Sequence, residues 1–194
     1  MAIRETLGDS IIMAIYLYHY YDKTIGPFKN LSDLSDDEAR KILLDMRESR
    51  PYSQPAQRDV LYMKRRRQYE KMAYEKFIEM GGKPKRTSPH YMVVEYCKWL
   101  SEWYQNSAFV MIPIEKFDKS TITFTYGDMS QNFGPLTDDN DRPYRGKLYT
   151  YEEILKVIEE FGLPQEWNAE GDLGPERYIE VQVWSDDALT EFLK

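Results

Sequence analysis

The sequence predicts an α+β domain with a mainly antiparallel sheet of about four to six strands and three main helices. Two observations carry this. Helical and strand-like periodicities both occur, but they do not alternate regularly as the βαβ repeats of a parallel sheet would. The 194 residues, 42% apolar and 30% charged, fit one globular domain able to bury a substantial core.

Two helices announce their own starts. Ser35-Asp36-Asp37-Glu38 matches the capping box, with acids in the first turn and apolar Ala39, Ile42, Leu43 and Met46 following at helical spacing, so a helix is expected over 35–48. Thr150-Tyr151-Glu152-Glu153 repeats the signature and opens a helix over 150–161, stopped by Gly162 and Pro164. Between them, a helix over 56–80 is read from a stripe of Tyr62, Tyr69, Ala73, Phe77 and Met80 and from the Gly81-Gly82 stop.

Strands are expected at HYMVVEY (90–96), AFVMIPI (108–114), STITFTYG (from Ser120) and YIEVQVW (178–184), with 11–18 as a buried strand or helix start. Pro113 argues for an edge or a terminus, and the closeness of the two middle strands predicts a hairpin or meander. Residues 127–146 form the longest irregular stretch, and SDDALTEFLK is expected to close the chain as a short helix.

Charge is uneven. The chain carries −7, yet 56–86 holds ten Lys/Arg against four acids, leaving −13 elsewhere. Four consecutive cations, Lys64 to Arg67, lie in the second helix. Lys64 and Arg67 point away from its apolar stripe, whereas Arg66 falls on it between Ala73 and Phe77. A buried arginine needs a carboxylate, so Arg66 is expected to be held by an internal acid, with 33–38 as its source. The same cations, with Tyr62, Tyr69 and Tyr74 as stacking surfaces, provide a nucleic-acid reading over 58–71; the overall pI of about 5.0 stands against it.

Several chemistries are unsupported. His19, His90 and Cys97 cannot make a four-ligand zinc site. Asp139-Asn140-Asp141 and Asn168 to Asp172 both fail the calcium-loop pattern at its sixth and twelfth positions. Cys97 lacks a neighbouring histidine, because His90 is at the far end of the same strand, and it reads as a small core hydrophobe. The single cysteine excludes an intrachain disulfide and fits a cytoplasmic location; IIMAIYL is too short to span a membrane. No G-x-S-x-G, Walker A or G-x-G-x-x-G motif occurs.

The 28 aromatic residues, 16 of them tyrosine, favour semi-exposed contact surfaces. On the last strand, Tyr178, Glu180, Gln182 and Trp184 share one face and make a recognition surface, to which Tyr18, Tyr126 and Arg66 are added as ligand-binding candidates. The leading expectation is therefore a domain that binds a small molecule or a protein partner through this aromatic and polar sheet face.

Two resemblances follow from particular residues. Tyr16-Leu17-Tyr18-His19-Tyr20 and the following helix resemble the opening of ADP-ribosyltransferase-like domains. That resemblance implies an NAD-using enzyme in which His19 holds a ribose, Tyr91 or Tyr126 packs on the nicotinamide, and Glu176 or Glu180 stabilises the transition state. YLYHYYDKTIGPF, FTYGDM, RPYRGKLYTYEEI, GLPQEWN and GPERYIEVQVW together resemble a family of bacterial proteins with no assigned function. This likeness runs from about Met13 to Trp184, which makes Met13 an alternative start, and implies no catalytic residue.

Overall fold

A computed structural model describes residues 6–7, 10–11, 14–134 and 142–193. Met13 and the Asp139–Asp141 candidate lie outside the described residues. Five strands, β1 (Tyr16–Asp22), β2 (His90–Val94), β3 (Ser107–Pro113), β4 (Ile122–Tyr126) and β5 (Ile179–Val183), form one antiparallel sheet in the order β3-β1-β2-β5-β4. A separate two-stranded ribbon pairs Thr6–Leu7 with Ser10–Ile11. The helices are α1 (Asp36–Ser49), α2 (Tyr62–Glu79), α3 (Lys98–Ser101), α4 (Met129–Phe133), α5 (Tyr151–Phe161) and α6 (Pro164–Trp167).

Both capping boxes form. Ser35 Oγ accepts from Glu38 N–H while the Glu38 carboxylate accepts from Ser35 N–H at 3.0 Å, and Thr150 and Glu153 do the same at α5. The second helix starts later than its apolar stripe predicts. Pro55 sits in a 3-10 turn over Gln54–Gln57, and Asp59 Oδ1 accepts from Leu61 N–H at 2.8 Å, so α2 begins at Tyr62. Its end is as expected: Gly81 takes φ +87°, a left-handed conformation open to glycine.

The expected hairpin is not formed. β3 and β4 lie at opposite edges of the sheet, because 3-10 turns at Ile114–Lys116 and Lys119–Thr121 carry the chain away from β3. β3 is an edge strand, ending at Pro113. The closing segment makes one 3-10 turn, Asp187–Leu189, in place of the expected helix. Within 127–146, Asp128 caps α4 through a box with Gln131, a helix that the irregular reading of that stretch passed over.

Helices cover both sheet faces. Leu17, Met92, Ile112, Phe124 and Val181 pack beneath Ile154 of α5 in the larger core. On the opposite face, Trp184 packs with Tyr69, Ala73 and Phe77 of α2 and with Leu148. A third cluster on that face joins Tyr20, Val93 and Tyr178 to Cys97 and Leu100 at α3. α1 packs outside α2 through Ala39, Leu43 and Met63. The α2-facing side is therefore closed at one end by α2 and at the other by the α3 region.

A candidate ligand cavity beneath α2

Between those two covers lies a cavity of roughly 540 Å³, within the size range of small-molecule sites. It opens where the sheet loosens. β1 and β2 pair only at Leu17↔Val94 and Tyr18↔Val93 and then part. His19 fills the gap: Nδ1 donates to Tyr91 O at 2.8 Å and Nε2 accepts from Phe28 N–H at 2.9 Å, with the imidazole stacked 4.0 Å from the Phe28 ring. Those partners specify the neutral tautomer with the proton on Nδ1. Burial pushes the His19 pKa down to about 4. Both ring nitrogens are thus committed to the main chain, and strand alternation sets His19 on the α5 side while Glu180 is on the α2 side.

Tyrosines from several elements line the cavity: Tyr18 and Tyr20 from β1, Tyr62 and Tyr69 from α2, and Tyr178 just ahead of β5. Trp103 and Tyr104, after α3, complete the aromatic lining. Glu180 of β5 also faces it. Its Oε1 accepts from Gln182 Nε2 at 3.1 Å and from Met129 N–H at 3.3 Å. Burial, reinforced by the nearby Asp128 carboxylate, raises the Glu180 pKa to about 8 against the opposing pull of Gln182 and Arg66.

Arg66 enters from α2 and is held internally, as its place on the apolar stripe predicts, but by a different acid from the one expected. Its Nε donates to Glu70 Oε1 at 2.9 Å, one turn along the same helix, its other nitrogens donate to Tyr62 Oη at 3.1 Å and Asn30 Oδ1 at 2.8 Å, and its guanidinium lies 4.5 Å from the Tyr91 ring centre. The same Glu70 oxygen accepts from Ser32 Oγ and Tyr91 Oη, each at 2.8 Å. The 33–38 turn instead takes Arg67, through Asp36 and Leu34 O, and Arg86, through Asp33. Arg65 pairs with Asp59 at 2.7 Å, so of the four consecutive cations Lys64 is exposed and makes no ion pair among the described residues.

Of the residues singled out from sequence, Tyr18, His19, Arg66, Tyr91, Tyr178 and Glu180 come together at this cavity, His19 with both ring nitrogens bonded to the main chain. Gln182 and Trp184 do not reach it. Both are fully buried: Gln182 bonds Thr123 and Thr125 hydroxyls, and the Trp184 indole donates to Thr123 Oγ1 at 2.9 Å. Tyr126 lies on the opposite face, where its hydroxyl accepts from Trp167 Nε1 and donates to Gly162 O. Glu176, fully buried, accepts two hydrogen bonds from Arg145 at 2.5 and 3.2 Å. Asn168 donates to Gly174 O and Glu176 O and so acts as an internal staple of its loop.

Cys97 is buried, as a core hydrophobe would be. Sequence reading missed Glu70 and Asp128. Signals for both exist: an acid four residues after Arg66 on its helix, and the Asp-x-x-Gln box after Gly127.

Glu180 gives the site a titration signature. A carboxyl neutral in the folded cavity but ionised in the unfolded chain takes up a proton on folding, so stability falls as pH rises from its ordinary 4.5 to about 8. His19 runs the other way: its stability contribution falls as pH drops from 6.5 to about 4, and is constant above 6.5. From pH 6.5 to 8 Glu180 therefore dominates, and at about 1.4 kcal/mol per unit the expected loss is about 2 kcal/mol. Urea unfolding of wild type and Glu180→Gln at pH 6.5 and 8 checks this; a variant that keeps the full decline would assign the slope elsewhere.

Among the described residues, no helix is long and apolar enough to cross a membrane, and no cluster of His, Cys, Asp and Glu is arranged to hold a metal ion. Comparison with known proteins returned no matching family model, curated protein or solved structure.

Proposed function

We propose that the protein binds a small organic molecule in the cavity between the sheet and α2. One observation carries this reading. A space of roughly 540 Å³ is walled by aromatic rings and supplied with a few inward polar groups, chiefly Glu180 and the Arg66 network. The Arg66 network belongs to the cavity wall and presents no net charge, because Glu70 neutralises the guanidinium. Tyrosine hydroxyls and ring faces then provide contact for a planar or apolar body.

An NAD-using reaction has less support, since His19 has no ring nitrogen left for a ribose. Nucleic-acid binding through 58–71 has less again, with Arg65, Arg66 and Arg67 committed to acids of the same chain.

A fragment library screened by ligand-observed NMR tests the proposal. Val93 and Leu100 both line the cavity, so Val93→Trp and Leu100→Trp are made to fill it. Hits are expected on the wild type and lost in whichever plugged variant retains a cooperative unfolding transition. At about 100 times its dissociation constant a hit adds about 2.7 kcal/mol, which raises the wild-type midpoint by roughly 5–10 °C. Hits that persist in both folded plugged variants would place binding elsewhere.

A further inference from the structure

Among the described residues, buried carboxylates are matched to guanidinium groups, with one exception. Glu70 has Arg66, Glu176 has Arg145 and Asp22 has Arg50 within 3.5 Å. Glu180 is nearly as deeply placed, 9% exposed, and makes no ion pair within 4 Å among the described residues. Its Oε1 is bonded to Met129 N–H and Gln182 Nε2, while Oε2 has no partner and the side chain faces the cavity. A second acid, Asp128, lines the same space. Its Oδ1 is occupied by Gln131 N–H and Ser130 Oγ, which fixes the side chain at the N-terminus of α4.

The nearby cations do not fill this vacancy. Arg66 is turned onto Glu70, Arg65 onto Asp59, and Arg58 lies over the Tyr62 ring at 4.3 Å. The cavity that Glu180 faces is also lined by Tyr18, Tyr20, Tyr69, Tyr104, Trp103 and Tyr178, residues whose electron-rich ring faces attract cations.

We infer that the cavity's ligand is an organic amine, bound as its ammonium ion, with the charge on Glu180 beside Asp128 and the carbon body against the aromatic walls. The inference rests on the cavity-binding reading and adds the chemical class of the ligand. It has a proton balance. With its pKa raised to about 8 by burial, Glu180 holds a proton at pH 7. An arriving ammonium favours the carboxylate, so that proton leaves to buffer as the ion pair forms.

The test is titration calorimetry at pH 7 with three probes of similar shape: 4-hydroxyphenethylamine, its alcohol counterpart and the corresponding carboxylate. Each is run in two buffers of different ionisation enthalpy. The amine is expected to bind at least tenfold more tightly than the alcohol, to release close to one proton, and to fall to the level of the alcohol in Glu180→Gln. Asp128→Asn, which keeps a capping oxygen, is expected to weaken the amine by a smaller factor.

Alcohol and amine binding equally would overturn the ammonium inference and leave the cavity reading standing. Preference for the carboxylate would overturn it in favour of an anion held by Arg66. Binding of none of the three, alongside fragment hits that the plugged variants abolish, would likewise overturn the amine assignment alone. An empty fragment screen would remove the cavity reading with it.

Discussion

Replacing Glu70 by alanine is expected to destabilise the protein by about 3–5 kcal/mol, the loss typical of a buried charge left without its partner. Glu70 is 3% exposed and a single one of its oxygens accepts from Arg66, Ser32 and Tyr91. Removing it leaves a guanidinium desolvated beneath α2 and two hydroxyl donors without their acceptor. Removing both charges together, as Arg66→Met with Glu70→Leu, avoids the unpaired ion and is expected to recover most of the loss. Urea unfolding of the two single variants and the double variant forms the cycle. A Glu70→Ala loss below about 1 kcal/mol would mean that the Arg66 guanidinium, 15% exposed in the wild type, swings out to water.

Trp184→Ala is expected to lower stability by a similar amount, about 3–5 kcal/mol, as for other fully buried large aromatics. The indole anchors α2 to the sheet. Its ring meets Tyr74 at 5.7 Å and Phe77 at 6.3 Å, and its N–H bonds Thr123. Trp184→Phe keeps most of the packing and loses the hydrogen bond, so about 1–2 kcal/mol is expected. Trp184 does not itself line the cavity, and Trp184→Phe keeps a ring behind Tyr69, so the affinity of the folded Trp184→Phe protein for any cavity ligand is expected to stay the same. Thermal unfolding and titration of the folded Trp184→Phe protein measure both quantities. An affinity loss larger than the unfolded fraction explains would return Trp184 to the site.

The fate of Trp184 shows where the legible part of the sequence ends. Alternation along Ile179–Val183 correctly separates Ile179, Val181 and Val183 from Glu180 and Gln182, because it needs only the period of a strand. That the face of Glu180, Gln182 and Trp184 is covered as well is set by α2, about 100 residues earlier in the chain. So Gln182 and Trp184 read as a surface and are interior.

The helices tell the converse. Ser35–Glu38 and Thr150–Glu153 locate α1 and α5 to within one residue, since a capping box is a contact between residues three apart. Arg66 was visible as an anomaly for the same local reason. The identity of its partner was not: the acidic 33–38 turn and Glu70 are both within reach on paper, and the i,i+4 geometry of one helix decides between them. Strand order is the least local property of all. The short spacing between β3 and β4 favours a hairpin, yet the register is set by β1 and β5 arriving from distant parts of the chain.

The place of β5 in the sheet bears on how the protein is made. It is the last of the five sheet strands in chain order, and it lies between β2 and β4, bonded to both. Until Ile179–Val183 has been synthesised, β4 has no strand neighbour and the sheet is split in two. Completion of the sheet therefore waits for this strand, and until then the nascent protein carries unfinished strand edges open to self-association. Glu180 arrives on that same strand, so the acid at the floor of the cavity is installed in the step that closes the sheet.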